Sequence, residues 1–103
     1  MTALRERLEQ LLAAGRDDAL LRFSLGSACL GDAPALAAQH LEAALVHDPK
    51  YSAAWKLLGK AREQLGEKPG AEEAYLQGIA AAEARGDVQA AKEMKVFLAR
   101  LRR

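Results

Sequence analysis

The side chains able to carry out chemistry are few, and their spacing suits neither a metal site nor a cofactor site. His40 and His47 are the only histidines. In a helix, a separation of seven residues places their backbones about 10.5 Å apart with their side chains pointing in parallel. One zinc ion, with bonds of about 2 Å to nitrogen, would hardly be bound by both. The sequence therefore predicts no metal and no cofactor, and both histidines are expected at the flank of a helix.

Nucleophiles and paired carboxylates have non-catalytic explanations. Cys29, the single cysteine, is expected to be a buried, inert thiol. The carboxylate pairs Asp17-Asp18 and Glu72-Glu73 fall in expected first helical turns, where acidic residues complement the helix dipole better than they would form a catalytic dyad. The sequence has no phosphate-binding glycine loop, no closely spaced zinc-ligand pair and no nucleophile elbow. These features predict that the protein is not an enzyme.

Composition favours one small domain in the cytoplasm. The chain has 103 residues and a net charge of +1, from 15 basic and 14 acidic residues. It therefore has no global field to attract nucleic acid or an anionic membrane. A lone cysteine fits a reducing compartment. No apolar run has the length of a signal peptide or of a membrane span of about 20 residues. We therefore expect a cytoplasmic protein that does not interact with membranes.

Glycine and proline divide the sequence into six helix-length segments in which apolar residues recur three and four positions apart. Alanine and leucine, both strong helix formers, dominate the apolar set. The segments expected to be helical are about 2–14, 18–30, 34–47, 51–65, 69–85 and 87–103. The sequence therefore predicts an all-α fold of about six helices.

An internal repeat relates the third and fifth of these helices. Apolar and small residues recur at an offset of 34: Ala37, Leu41, Ala44 and Leu45 correspond to Ala71, Tyr75, Gly78 and Ile79. A period of 34 residues built from two helices is typical of one class of helical repeat.

The motifs within this period resemble those of the tetratricopeptide repeat (TPR) family. The strong match is Trp55-x-x-Leu58-Gly59, then Gly66, then Ala71-x-x-x-Tyr75; a weaker one comprises Leu25-Gly26, Ala37-x-x-x-Leu41-x-x-Ala44 and Asp48-Pro49. The resemblance implies a right-handed superhelix of antiparallel helix hairpins. It divides a single domain, 1–103, into a capping helix (1–15), two repeats (18–49 and 50–85) and a second capping helix (87–103). In this arrangement Trp55 lies between hairpins, and the stripe of Met94 and Phe97 belongs to the core.

The resemblance also implies a protein-binding function, because the first helices of successive TPR repeats line a concave groove that accepts a peptide or a partner's helix. By this resemblance the groove residues are Phe23, Ser27, Lys56, Lys60, Glu63 and, on the sixth helix, Lys92. The lysines favour a partner with acidic side chains or a free C-terminal carboxylate. Some family members bind such a carboxylate with lysine and asparagine, but this chain has no asparagine.

Three alternatives remain open from the sequence. The lysines could form a solvated face without a ligand. The chain could be a structural, self-associating subunit, a homodimer through Val96, Phe97 and Leu101 of the sixth helix. The basic residues at its end could bind nucleic acid, which is the weaker alternative because stacking needs interleaved aromatic residues and the segment has only Phe97; they are Lys92, Lys95, Arg100, Arg102 and Arg103.

Overall fold

The computed structural model describes residues 2–103. These residues form six α-helices and no strand: α1 Thr2–Ala13, α2 Ala19–Cys29, α3 Pro34–His47, α4 Ser52–Gln64, α5 Lys68–Ala84 and α6 Val88–Leu101. Each helix begins and ends within two residues of the bounds expected from the sequence. The predicted all-α fold is confirmed. Met1, the first residue of the expected domain, lies outside the described residues.

Local sequence signals explain where the helices begin and end. Asp18 and Asp87 precede α2 and α6, and each carboxylate accepts a hydrogen bond from a backbone N–H in the first turn, at 2.7 and 3.1 Å. These bonds satisfy donors that have no partner within the helix. Gly15, Gly66 and Gly86 follow α1, α4 and α5 with φ of 106°, 74° and 75°. This left-handed conformation, easily adopted by glycine, ends a helix.

The helices pack as successive hairpins, α2 on α3 and α4 on α5, with α1 against α2 and α6 against α5. Each hairpin has a glycine in its first helix that faces a large residue of the second. Leu41 packs on Gly26, and Tyr75 packs on Gly59, so closely that a Cβ at either glycine would overlap the opposing side chain. These glycines allow each pair of helices to approach closely.

The core consists of two clusters of buried residues. One cluster lies among α2, α3, α4 and α5 and includes Leu41 and Leu58; a second lies between α5 and α6 and includes Tyr75 and Met94. Met94 is fully buried, and Phe97 is half-buried against the second cluster, as the sequence predicted. None of the helices within residues 2–103 combines the length and hydrophobicity needed to cross a bilayer.

Candidate partner-binding surface

The candidate surface lies on α2, α4 and α6. α4 is the middle helix of the three, since it contacts both α2 and α6. We call this surface the α2/α4/α6 face. It is defined by the expected residues Phe23, Ser27, Lys56, Lys60 and Glu63, together with Glu93 and Phe97 of α6, which contact them.

Lys56 and Lys60 lie four residues apart on α4 and therefore on one side of the helix. The Nζ of Lys56 lies 3.0 Å from Oε1 of Glu93. The Nζ of Lys60 lies 3.9 Å from the centroid of the Phe97 ring, which is a cation–π contact. Neither partner is among the surface residues expected from the sequence. A signal was present in the four-residue spacing of Glu93 and Phe97, which puts both on the side of α6 that meets α4.

The two lysines differ in how their charge is balanced. The pair of Lys56 with Glu93 is partly exposed, with side-chain exposures of 29% and 46%. Such pairs contribute about 0–1 kcal/mol to stability. In the part of the chain that is described, no carboxylate oxygen lies within 4.0 Å of the Lys60 ammonium group. Lys60 therefore retains the capacity to pair with an external carboxylate.

Glu63 is tied to the core rather than being a free acid on the surface. Its Oε2 accepts a hydrogen bond from the hydroxyl of Tyr75, whose side chain is fully buried. Burial, and secondarily the Glu63 carboxylate, raise the pKa of Tyr75 well above its usual range. This hydrogen bond fixes the position of Glu63 at the edge of the face, beside Lys60, with which it lines a shallow hollow.

The α2 part of the face is apolar. The ring of Phe23 stacks on Tyr51, with centroids 4.9 Å apart. Phe23 and the exposed Ser27 also line a hollow of about 310 Å³ whose other wall includes Leu4 and Leu8 of α1. Leu4 is 55% exposed. The sequence predicted a capping helix over 1–15, but it did not indicate that Leu4 and Leu8 of this helix would extend the apolar part of the face.

The structure does not bring Lys92 together with the other expected residues. Glu93, not Lys92, is the α6 residue that meets Lys56. The side chain of Lys92 lines a separate hollow at the corner between α5 and α6, beside Glu83 and Gly86. The reason is geometric, since neighbouring residues of a helix point about 100° apart.

The two histidines form part of a hydrogen-bonded network rather than a metal site. Asp17 accepts two hydrogen bonds from the Arg22 guanidinium, at 2.8 and 2.9 Å, and contacts Nε2 of His47 at 3.0 Å. Arg22 also donates to Nδ1 of His40 at 3.1 Å. The arginine, and secondarily His47, hold the pKa of the Asp17 carboxyl well below its usual range.

His40 was expected at the flank of a helix, and this expectation is wrong. Its side chain is buried, at 7% exposure, because α3 turns this position toward Arg22 and the core. Burial lowers the pKa of His40, which fits a neutral ring accepting from Arg22. Within residues 2–103, no group of three His, Cys, Asp or Glu side chains is placed to hold a metal ion. Cys29 is fully buried, as expected, and burial raises the pKa of its thiol.

Comparison with known proteins identifies the family. A TPR repeat-containing protein of Pseudomonas aeruginosa is 56% identical over 100 residues, which cover 95% of this chain and 94% of that protein. This chain belongs to the tetratricopeptide-repeat family. The solution structure of a Bordetella parapertussis protein superimposes on the TPR chain with a TM-score of 0.84 at 50% identity, covering 98% of this chain and 89% of that one.

A shorter match and one negative result complete the comparison. A heat-shock protein cognate (HSC) co-chaperone of Aspergillus fumigatus is 53% identical over 45 residues, which are 44% of this TPR chain but 13% of the co-chaperone. No family model matches the chain. At the level of the family, the protein is a protein–protein interaction module, and TPR proteins are generally non-catalytic adaptors.

Proposed function

We propose that this TPR protein binds an acidic segment, or the free C-terminal carboxylate, of a partner protein across the α2/α4/α6 face. The observation that carries the proposal is the state of the two α4 lysines. Lys60 has no carboxylate partner among the described residues, and Lys56 has only the partly exposed Glu93. A carboxylate of the partner would pair with Lys60 and compete with Glu93 for Lys56.

Lys56 can exchange one carboxylate partner for another at little cost in free energy. Its pair with Glu93 joins two long, partly exposed side chains, so breaking it costs at most about 1 kcal/mol. The ammonium group of Lys60 makes a cation–π contact with the Phe97 ring and keeps N–H donors available for a carboxylate. A partner carboxylate between the two ammonium groups would therefore form ion pairs with both lysines without any rearrangement of the core.

The α2 part of the face supplies the apolar contact. Phe23 and Ser27 precede Lys56 and Lys60 by 33 residues, the same offset that separates the Leu-Gly pairs of the two repeats. Equivalent positions on packed helices lie about 8–10 Å apart, and an extended peptide covers this distance in about three residues. The bound segment therefore carries an apolar side chain about three residues away from its acidic group.

These two contacts have different kinetic consequences. Charges on the rim of an interface mainly accelerate and orient the encounter, whereas buried apolar contacts mainly slow dissociation. Loss of the lysines should therefore reduce the association rate and its salt dependence. Phe23→Ala should increase the dissociation rate.

The test is recovery of partners from a lysate of the source cell, using the Lys56→Glu, Lys60→Glu double variant. A matched control is Lys50→Glu, Lys68→Glu, which makes the same change in charge at two exposed positions that are not part of the α2/α4/α6 face. The proposal predicts that the control recovers the same partner as wild type and that the double variant, folded by circular dichroism, does not. Equal recovery by both variants would contradict it.

A further variant tests Lys92, and the two alternative functions are considered after it. Lys92→Glu should leave recovery of the partner bound at the α2/α4/α6 face unchanged, because that side chain lies at the α5–α6 corner. For a homodimer through α6, Val96 is 48% exposed, but Phe97 and Leu101 pack on the core. For nucleic-acid binding, Lys95 and Arg102 are paired with acidic residues of α5. No observation favours either alternative over the proposed function.

A further inference from the structure

The side of α6 that faces away from the hairpins lacks a covering helix among the described residues. In the two hairpins, the first helix is covered by a second helix, as the close contacts of Gly26 with Leu41 and of Gly59 with Tyr75 show. α6 has the next first-helix position, since it packs on α5 and reaches α4. It therefore offers a surface that the same chain covers twice elsewhere with a helix.

The exposed residues on this surface form a regular stripe. Within the helix they follow one another at intervals of four, four and three residues: Val88, Lys92, Val96 and Ala99. Arg103 lies just past the end of α6 and continues the stripe in sequence. Residues three and four apart are neighbours on a helix surface, so this order makes one line along α6. Val88 is 62% exposed and Val96 is 48% exposed. We call this stripe the outer face of α6.

A hollow of about 270 Å³ lies at one end of the outer face. Val88 lines it together with Ala91, which is 3% exposed, and Gly86. Lys92 and Lys95 form the cationic part of its lining. Glu83, which pairs with Lys95, also lines the hollow, so Lys92 is its cation without a carboxylate within 4.0 Å among the described residues. An apolar side chain next to an acidic one would fit such a lining.

The charge on the outer face is uncompensated. Lys95 is paired with Glu83 at 2.9 Å. Within residues 2–103, neither Lys92 nor Arg103 has a carboxylate within 4.0 Å. Lysine can extend its methylene stem along an apolar neighbour while its ammonium group remains at the surface. A helix packed on the two valines would therefore meet two cations at its edge.

We propose that the outer face of α6 binds an amphipathic, acidic helix of a partner protein, in the position of a second helix completing a third hairpin. Its apolar residues lie on Val88 and Val96, and its carboxylates pair with Lys92 and Arg103. α6 has 14 residues, a length of about 21 Å, so the partner helix needs about four turns.

A second copy of this chain is a poorer occupant than an acidic partner. In a second copy, α1 would be the helix to bind here, because it has exposed leucines. However, α1 carries two arginines and two glutamates, Arg5, Glu6, Arg7 and Glu9, and so has no net charge. It therefore lacks the charge complementarity that the outer face demands. This surface is distinct from the α2/α4/α6 face, so the two can be tested separately.

The probe is a 14-residue helical peptide with leucines at positions four apart and glutamates on both sides of them. It is stapled because isolated helices of this length are marginally stable in water; the staple also excludes the extended form proposed for a segment on the α2/α4/α6 face. Its ends are acetylated and amidated to remove the terminal carboxylate. The peptide is titrated into ¹⁵N-labelled protein to about 1 mM, where even weak binding with a Kd near that value is measurable.

The proposal predicts saturable amide shifts concentrated in residues 86–103, and none for a peptide with lysine in place of glutamate. Lys92→Glu together with Val96→Glu, at two exposed positions, should weaken binding at least about tenfold through lost charge and apolar contact. The Lys56→Glu, Lys60→Glu variant should bind the peptide as wild type does. Absence of shifts at 1 mM, shifts centred on α2 and α4, or a dimer of the free protein through α6 would each overturn it.

Discussion

The contact between Gly59 of α4 and Tyr75 of α5 predicts the effect of Gly59→Ala. A Cβ at position 59 would lie 2.7 Å from Cδ1 and Cζ of the Tyr75 ring and closer still to Cε1. The ring cannot easily move away, because it is fully buried and its hydroxyl is hydrogen-bonded to Glu63. The added methyl group must therefore push α4 and α5 apart or distort the ring's position.

Two opposing effects set the size of the change. Replacing glycine by alanine within a helix favours folding by about 1 kcal/mol. Overpacking a rigid core typically costs about 1–3 kcal/mol, and the overlap with three ring atoms places this site at the upper end. Gly59→Ala should therefore lower the free energy of unfolding by about 1–2 kcal/mol. For a domain of this size, the corresponding fall in Tm is about 5–15 °C.

The assay is urea unfolding followed by circular dichroism at 222 nm, with Gly70→Ala as the matched control. Gly70 lies in the first turn of α5, and the nearest atom to its added Cβ would be Cδ of the Arg62 side chain at 3.1 Å, a contact that a small shift of this side chain relieves. The control should be neutral or slightly stabilising. A Gly59→Ala protein as stable as wild type, or more stable, would refute the close packing of α4 on α5.

Three further predictions concern single side chains. Trp55 is half-buried and donates from Nε1 to the Pro49 carbonyl at 2.8 Å; its emission should be blue-shifted, and Trp55→Ala should cost about 3 kcal/mol, the low end for core aromatic residues. Arg22 lowers the pKa of Asp17, so this carboxylate stabilises the fold above its unfolded pKa of about 4, and the effect is lost as pH falls toward the lower folded-state pKa. Asp17→Asn should therefore flatten the pH dependence of Tm below about pH 4. Cys29 is fully buried, so its reaction with a thiol reagent should require unfolding.

Each of these predictions has a clear contradictory result. Emission from native protein at the wavelength of free tryptophan would mean that Trp55 is exposed. An Asp17→Asn variant with the same acid dependence of Tm as wild type would mean that the ion pair with Arg22 does not contribute. Rapid, complete reaction of Cys29 in native protein would show that its environment is open.

Much of the fold was predictable because it depends on signals within single helices. Glycine and proline mark the helix ends, and the 34-residue offset aligns Leu41 with Tyr75 as the large residues of equivalent hairpins. The sequence offset alone gives this alignment, because the second helix of each hairpin packs on its first helix in the same way. The helix bounds were accordingly close to those observed.

The contacts of the candidate surface were less predictable because they join side chains far apart in sequence. Lys56 and Glu93 are 37 residues apart, and their contact depends on how α6 is rotated against α4. The same rotation directs Lys92 to a different surface. The burial of His40 likewise depends on the position of Arg22 on another helix. Residue spacing shows which residues share one face of a helix, but it does not show which residues of another helix that face contacts.

The most direct test of the central claim is site-specific photo-crosslinking in the source cell. A photoreactive phenylalanine analogue replaces Ser27, an exposed residue of the α2/α4/α6 face, or Gln77, an exposed residue of α5 that lines a hollow with Trp55 and Val46 on the other side of the molecule. A specific partner should be crosslinked from position 27, the crosslink should disappear in the Lys56→Glu, Lys60→Glu background, and position 77 should give none. A partner crosslinked from position 77 and not from position 27 would contradict the claim.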